Sequence, residues 1–556
     1  MGLILTNARI YTFDATGSIV DTIVIEEDRV VFVGARAAWS GDDAAFDVHD
    51  LGGRTVTPSF IDAHSHPGAV AKSLWHVRLP WTTDLDEILD FIRRYAEAHP
   101  PEEAPYLYFE YYPSELFSDA PPTKELLDSV VSDRPVLCQD FSEHEHWVNS
   151  RMLELMGITR DTPDPVPGLE MFFRDERGEP TGRLREMVHL HFLDTMYDAL
   201  GWRPPEHITP DRLAQVLDYF TQQGVTAILD AVVDSDEILQ ALAELERQGR
   251  LHLNYEGAIR FRTKDDITEA IARARDYDDR YATSHVRVRT LKLFLDGTNE
   301  GANSALLAPL YGHGGGHGEI GMEVDELTQC LRIANGECVD VHIHVTGDRA
   351  FRVACDAVAA ARAATGEERW VIQVTLAHCE LVDDADIPRP AELDIIVNWT
   401  PHWSGGYFGD SSRAHLGPER WERMYRFNQI ADHGALLTFS SDIVTAYELH
   451  RAAPLFGMQV AMTRIDPEYP LAPATYSDSV RPDASAAIGA ARLLQGYTID
   501  AARQLRHDDR TGSIEPGKFA NLVVLSADPH EAAPDTVASI QRDAVIFEGT
   551  VIFGAL

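Results

Sequence analysis

Cysteine and lysine are scarce in this 556-residue chain. The five cysteines (Cys138, Cys330, Cys338, Cys355 and Cys379) are odd in number, and none stands in a CxxC spacing. That argues against a disulfide framework or a structural zinc knuckle and for a reducing, cytoplasmic setting. Long apolar runs are missing as well. No stretch reaches the roughly 18 uninterrupted apolar residues that suggest a membrane-spanning helix, so no membrane span is expected. The opening Met-Gly-Leu-Ile-Leu-Thr-Asn-Ala-Arg lacks a basic segment followed by a long apolar one, so no secretory signal is expected. Positive charge is in deficit: 48 Lys and Arg face 89 Asp and Glu, a formal net charge of −41. Such a surface repels nucleic acid and anionic membrane and leaves a small molecule as the expected partner. Five of the bases are lysines (Lys72, Lys124, Lys264, Lys292 and Lys518), so a lysine inside an apolar strand needs a reason.

The length accommodates a barrel of about 250 residues with further modules. Residues 3–34 carry short alternating runs (3–10, 19–25, 29–33) that predict a small antiparallel β module. The other end mirrors it: a strand at 520–525 and a hairpin at 545–553. The two ends together predict one β-sandwich, 1–54 with 500–556. Between them, apolar runs at 55–63, 225–230, 252–259, 287–295, 339–345, 371–378, 394–399 and 435–441 alternate with amphipathic segments at 211–223, 236–248, 266–278, 324–336, 349–364 and 418–432. Eight strands alternating with helices predict an α/β fold, a (β/α)8 TIM barrel over 55–75 and 208–499, with its active site at the strands' C-terminal ends. Residues 76–207 break the rhythm and predict an inserted α+β domain lining the pocket. Its expected elements are strands near 106–111 and 134–139 and helices near 85–98 and 184–198.

Chemistry-bearing side chains recur at the predicted strand ends. His64 and His66 close the first strand and share a face by the period of two, so both can reach one cation. Lys292 lies in the apolar run Leu291–Leu295, where desolvation lowers the pKa of the amine. A neutral amine takes up CO₂ as a carbamate, an anionic ligand able to bridge two cations. His342 and His344 share a face on the fifth strand, and His344 is the better placed for a ligand. His378 ends the sixth strand, and Asp442 follows the eighth, where it suits a ligand and general base or, alternatively, a helix cap. Each alone is an ordinary core or cap residue. Their shared position on five strands points to a metal centre.

These residues resemble the metal-dependent amidohydrolase superfamily, in particular the amidohydrolase-3 group of N-substituted formamide deformylases and YtcJ-like hydrolases. The resemblance rests on Lys292-Leu-Phe-Leu-Asp-Gly297, His344-Val-Thr-Gly-Asp-Arg-Ala350, Leu376-Ala-His378, Ser440-Ser-Asp442 and Gly512-Ser-Ile-Glu-Pro-Gly-Lys-Phe-Ala-Asn521, and on His144-Glu-His-Trp-Val-Asn149 and Gly182-Arg-Leu-Arg-Glu186 in the insert. The chain departs from the group's pattern at Ser142-Glu143, Thr400, Ile443-Val444 and Asn521. The resemblance implies zinc: one ion on His64, His66 and Asp442, and a second on His344 and His378, bridged by carboxylated Lys292. A single-ion variant is the alternative. It implies a metal-activated water that cleaves a non-peptide C–N bond of an amide, N-acyl or N-formyl amine, with Asp442 as the base. It also implies a homodimer. His144 then stabilises the oxyanion or holds the substrate; the alternative for His144 and His146 is a solvated surface run. Glu186, Trp403 and Tyr112 are further pocket candidates. Trp399, Trp403, Tyr407 and Phe408 either receive an apolar or aromatic substrate group or simply pack. Other reactions stay open: hydrolysis of a cyclic amide, imine or C–C bond, or an inactive scaffold.

Overall fold

The computed structural model describes all residues except 1, 118, 119, 187, 206, 313, 314 and 407–410. Tyr407 and Phe408 therefore lie outside the described residues. Eight parallel strands form the central sheet in sequence order: Phe60–Ser65, Val225–Asp230, Asn254–Arg260, Val286–Phe294, Asp340–Val345, Val374–His378, Ile396–Trp399 and Leu437–Phe439. We number these barrel strands one to eight. The sheet closes on itself through backbone bonds just beyond the last strand: Asp442 N–H donates to His64 O at 2.9 Å and His66 N–H to Ile443 O at 3.1 Å. This is the predicted TIM barrel.

Strand formation follows from burial on both faces, which makes a barrel strand an unbroken apolar run. Leu291, Leu293, Ile343, Leu376, Val397 and Leu437 pack into one large core with the surrounding helices. Side chains of that kind each contribute about 1.5–3 kcal/mol when fully buried. Ile61, Ala63, Ala227, Leu229 and Ala258 instead form a separate cluster with Ala501, Ala502 and Leu505. Helix Ile499–Gln504 and the residue after it thus pack against strands one to three, and Gln504 Nε2 donates to Ala63 O at 2.8 Å. The helices begin on ordinary caps; Thr209, for example, accepts from Arg212 N at the start of Pro210–Gln222.

The termini supply a four-stranded sheet and a six-stranded one, the latter joining Arg9–Tyr11, Ile19–Val20 and Thr55–Pro58 to Leu522–Leu525, Arg542–Phe547 and Thr550–Gly554. Thr55–Pro58, expected in the first barrel strand, pairs here with Arg9–Tyr11 and Leu522–Leu525. The chain changes sheet at Ser59, whose N–H turns to Asn521 O.

The insert is built on a mixed six-stranded sheet that includes the expected strands, Leu107–Tyr112 and Val136–Asp140. Its helix Leu85–Ala98 is also where expected, but 184–198 is not one helix. Pro180–Arg185 is a strand, with Leu184 in the core and Arg183 and Arg185 both reaching Glu145 on the neighbouring strand. That alternation has period two, and helix Leu193–Leu200 begins only afterwards. The segment 418–432 likewise splits into Pro418–Glu422 and Phe427–Asp432, because Tyr425 sits in the left-handed region (φ 59°). No helix among the described residues is long and apolar enough to cross a membrane.

Candidate metal centre

The mouth of the barrel opens into a cavity of about 600 Å³ between the strand ends and the insert. His64, His66, Lys292, His344, His378 and Asp442 all line it. A register shift between Asp62 and Ser65 interrupts the pleat of strand one at the first of these histidines. Asp62 then stitches strand one to strand eight, accepting from Ser441 N at 3.0 Å and from Ser441 Oγ at 2.5 Å. The same seam delivers Asp442, at φ 49°, to the histidines.

Asp442 is the meeting point. Its Oδ1 lies 3.3 Å from His64 Nε2 and 3.1 Å from His66 Nε2, and its Oδ2 lies 3.4 Å from His378 Nδ1. One ligand atom each from His64, His66 and Asp442 fits within 4.8 Å of the others. Lys292 Nζ stands 3.5 Å from His64 Nε2. The rings of His344 and His378 are 4.4 Å apart.

Several rings are already braced. His344 Nε2 donates to Gly297 O at 3.1 Å, which leaves Nδ1 as the ligand atom. His64 Nδ1 is held by His342 Nε2 at 3.0 Å, leaving Nε2 toward Asp442 and Lys292. His342 is thus a brace for a ligand. His378 Nδ1 is buried without a hydrogen-bond partner, an orphaned lone pair beside a carboxylate. Burial, then neighbouring positive charge, holds His64, His342, His344 and His378 well below 6.5, in the neutral form that binds metal. Burial lowers Lys292 to about 7, against the pull of Asp442, and makes its amine available in neutral form. The orphaned imidazole, the braced rings and the carboxylate fit a divalent cation.

His144 enters from the insert, its ring 5.8 Å from that of His344. Its Nδ1 is 2.6 Å from Glu186 Oε2, and Glu186 Oε1 accepts from Asn303 Nδ2 at 2.9 Å. Burial opposes a charge on His144, but Glu186, with Glu300 and Asp140, raises it to about 9. Glu186 therefore acts through His144. Trp403 lines the cavity and lies 5.4 Å above His378 at an interplanar angle of 20°. One expectation does not hold. Tyr112 is buried in the core of the insert against Phe117 and Trp147 and does not line the cavity. Of the two readings open for Trp399, packing is the one found: it lies in the core, its Nε1 donating to Cys379 O at 3.1 Å.

A family model described as the amidohydrolase family matches residues 47–553. The chain belongs to the amidohydrolase family. It is 28% identical over 446 residues to the exoenzymes regulatory protein AepA of Pectobacterium carotovorum subsp. carotovorum, covering 79% of this chain and 93% of that protein. It is 25% identical over 567 residues to the N-substituted formamide deformylase of Arthrobacter pascens, covering 97% and 96%. An uncharacterized metal-dependent hydrolase from Pyrococcus horikoshii OT3 superposes with a TM-score of 0.67 at 22% identity, covering 96% of this chain and 99% of that one; this likeness shows the fold.

This amidohydrolase also carries groups whose roles only the structure brings out. Asp296, between Lys292 and the turn at Gly297, accepts from the backbone of Ala305, Thr346 and Gly347 at 3.0, 3.0 and 2.9 Å. It ties the loop that presents Gly297 O to His344. Arg260 ends strand three and lines the cavity, a strand-end position like those of the histidines.

Proposed function

We propose that this amidohydrolase uses zinc to cleave the C–N bond of a small N-acyl or N-formyl amine. The observation that carries the reading is the convergence of His64, His66 and His378 on the two oxygens of Asp442, all within 3.4 Å. His64, His66 and Asp442 would hold one ion. His344, His378 and a carboxylated Lys292 would hold a second, and the compact His64, His66, Asp442 group favours filling the first site before it. Zinc bound there supplies Lewis acidity and brings a water to a pKa of about 7.

The chain's own residues do the rest. Asp442 takes the proton of the attacking water and returns it to the leaving nitrogen. His144, kept cationic by Glu186, donates to the carbonyl oxygen as it gains negative charge. Trp403 and Phe141 wall the cavity and receive an apolar group. The relative named N-substituted formamide deformylase supports a C–N bond as the one broken. The test is zinc content and turnover of protein supplied with zinc and bicarbonate, over N-formyl amines, N-acyl amines and cyclic amides. About one or two zinc ions per chain and turnover of linear amides are expected. Well under one ion per chain with no turnover would sink the reading, and turnover of cyclic amides alone would replace it.

A further inference from the structure

One wall of the cavity takes no part in the chemistry above. Arg260 stands in register with Lys292, on adjacent strands. Such strands run about 4.8 Å apart, and both side chains line the cavity. Arg260 is 6% exposed, and its Nη2 is buried without a hydrogen-bond partner. The acid nearest it, Glu170, stands off at 3.5 Å. Glu170 is already engaged: its Oε2 is 2.7 Å from His191 Nε2 and 3.4 Å from Arg262 Nε. Arg273 spends its Nη2 on Arg260 O at 3.2 Å and leaves its Nε unpartnered. His189, 3% exposed, leaves Nδ1 unpartnered as well. Among the described residues, Arg260 and Arg262 share one carboxylate, Glu170, and Arg273 makes no ion pair.

This imbalance is costly as it stands. A buried carboxylate can shed its charge by taking up a proton, but a guanidinium stays charged and needs an anion. In a chain of net charge −41, three clustered arginines with one counter-ion run against the composition. The planar fork of Arg260 matches a carboxylate. We propose that Arg260, flanked by Arg262 and His189, binds a carboxylate of the substrate, and that the amides cleaved are N-acyl or N-formyl α-amino acids. This rests on the hydrolytic reading above. Arg260 and Lys292 enter from neighbouring strands, so a short substrate spans them, with its carboxylate on the carbon next to the scissile nitrogen. Hydrolysis then breaks the C–N bond; the acyl carbon gains the water oxygen, the nitrogen gains the proton, and a carboxylic acid and a free amino acid leave.

The zinc-loaded enzyme is assayed with N-formyl-phenylalanine and with N-formyl-phenethylamine, which lacks only the carboxylate. A preference in kcat/KM of about 100-fold or more for the first is expected, the scale of two charge-assisted hydrogen bonds. Arg260→Gln should remove most of that preference through KM, with Arg260→Lys in between. Equal rates, or a preference for the neutral amide or for an N-formyl diamine, would overturn the proposal. Turnover of neither compound defeats the hydrolytic reading on these amides, and calorimetric titration of N-formyl-phenylalanine then decides the carboxylate site alone. Binding that is lost in Arg260→Gln, or in Arg262→Gln if the first variant fails to fold, supports it; absence of binding to the unsubstituted protein refutes it.

Discussion

Replacing Asp296 with alanine tests whether the floor of the site depends on one buried carboxylate. Asp296 is fully buried and accepts three backbone N–H groups, from Ala305, Thr346 and Gly347. Truncation orphans all three, and each buried donor left unsatisfied costs about 1–3 kcal/mol. The gross loss is therefore about 3–9 kcal/mol. It is offset in part because the truncation also removes a carboxylate whose burial is unfavourable, which raises its pKa to about 7. The lower part of the range, about 3–5 kcal/mol, is the expected net effect. In a barrel of this size each kcal/mol moves the melting temperature by about 2 °C, so the apparent Tm should fall by about 6–10 °C. Unfolding of a multidomain chain is seldom two-state, so the shift is best read at a fixed scan rate alongside the inactivation half-life. The loss should reach the site too. Thr346 Oγ1 donates to Gly297 O at 2.6 Å, and the same carbonyl holds His344 Nε2, so metal content should fall with Tm. An apparent Tm within about 1 °C of the parent, with metal unchanged, would refute the assignment of Asp296 as the anchor.

Asp442→Asn should lower kcat by at least about 100-fold while sparing most of the metal; parent-like rates would rule out Asp442 as the base. Lys292→Ala should bind less zinc and lose any response to bicarbonate, and an unchanged zinc count removes its bridging role. His144 is raised to about 9, so its cation is present below that pH and lost as pH rises through it. Activity should therefore fall above about pH 9, and Glu186→Gln should move that falling limb to lower pH; a limb that stays in place argues against His144 as the cationic donor.

Much of the fold was legible because barrel strands are buried on both faces and read as unbroken apolar runs. The eight runs were found for that reason, and the helices between them by their amphipathic period. Failures occurred where a choice depended on a distant partner. Thr55–Pro58 is as apolar as the strand that follows, and only Leu522–Leu525, far along the chain, assigns it to the other sheet. Gly182-Arg-Leu-Arg185 is a strand because Glu145 waits on the neighbouring one. The site shows the same division. Histidines that end apolar strands stood out. Period two placed His342 and His344 together but could not tell the brace from the ligand. Tyr112 and its neighbour Tyr111 are both buried; Tyr111 turns at φ 80° and donates to Glu448 at 2.5 Å, whereas Tyr112 stays in the core. Arg260 ends a strand as His378 does, yet its meaning depends on Glu170, which the insert supplies.

Charge balance links the number of ions to the state of Lys292. Of the six residues that meet at the barrel mouth, Asp442 is the one that is anionic without modification. One dication held against Asp442 would leave a single positive charge. Two dications held against Asp442 alone would leave three positive charges beside imidazoles held neutral by burial. Burial of uncompensated charge on that scale is prohibitive. A carbamate on Lys292 would supply a second anion, at the position where the amine stands 3.5 Å from His64 Nε2. On the proposed reading, a two-ion site would require carboxylation and a one-ion site would not. Zinc titrated into protein stripped of metal and CO₂ should stop at about one ion per chain, and bicarbonate should raise the count to about two in the parent but not in Lys292→Ala. A second ion bound without bicarbonate would break the link between the lysine and the metal count.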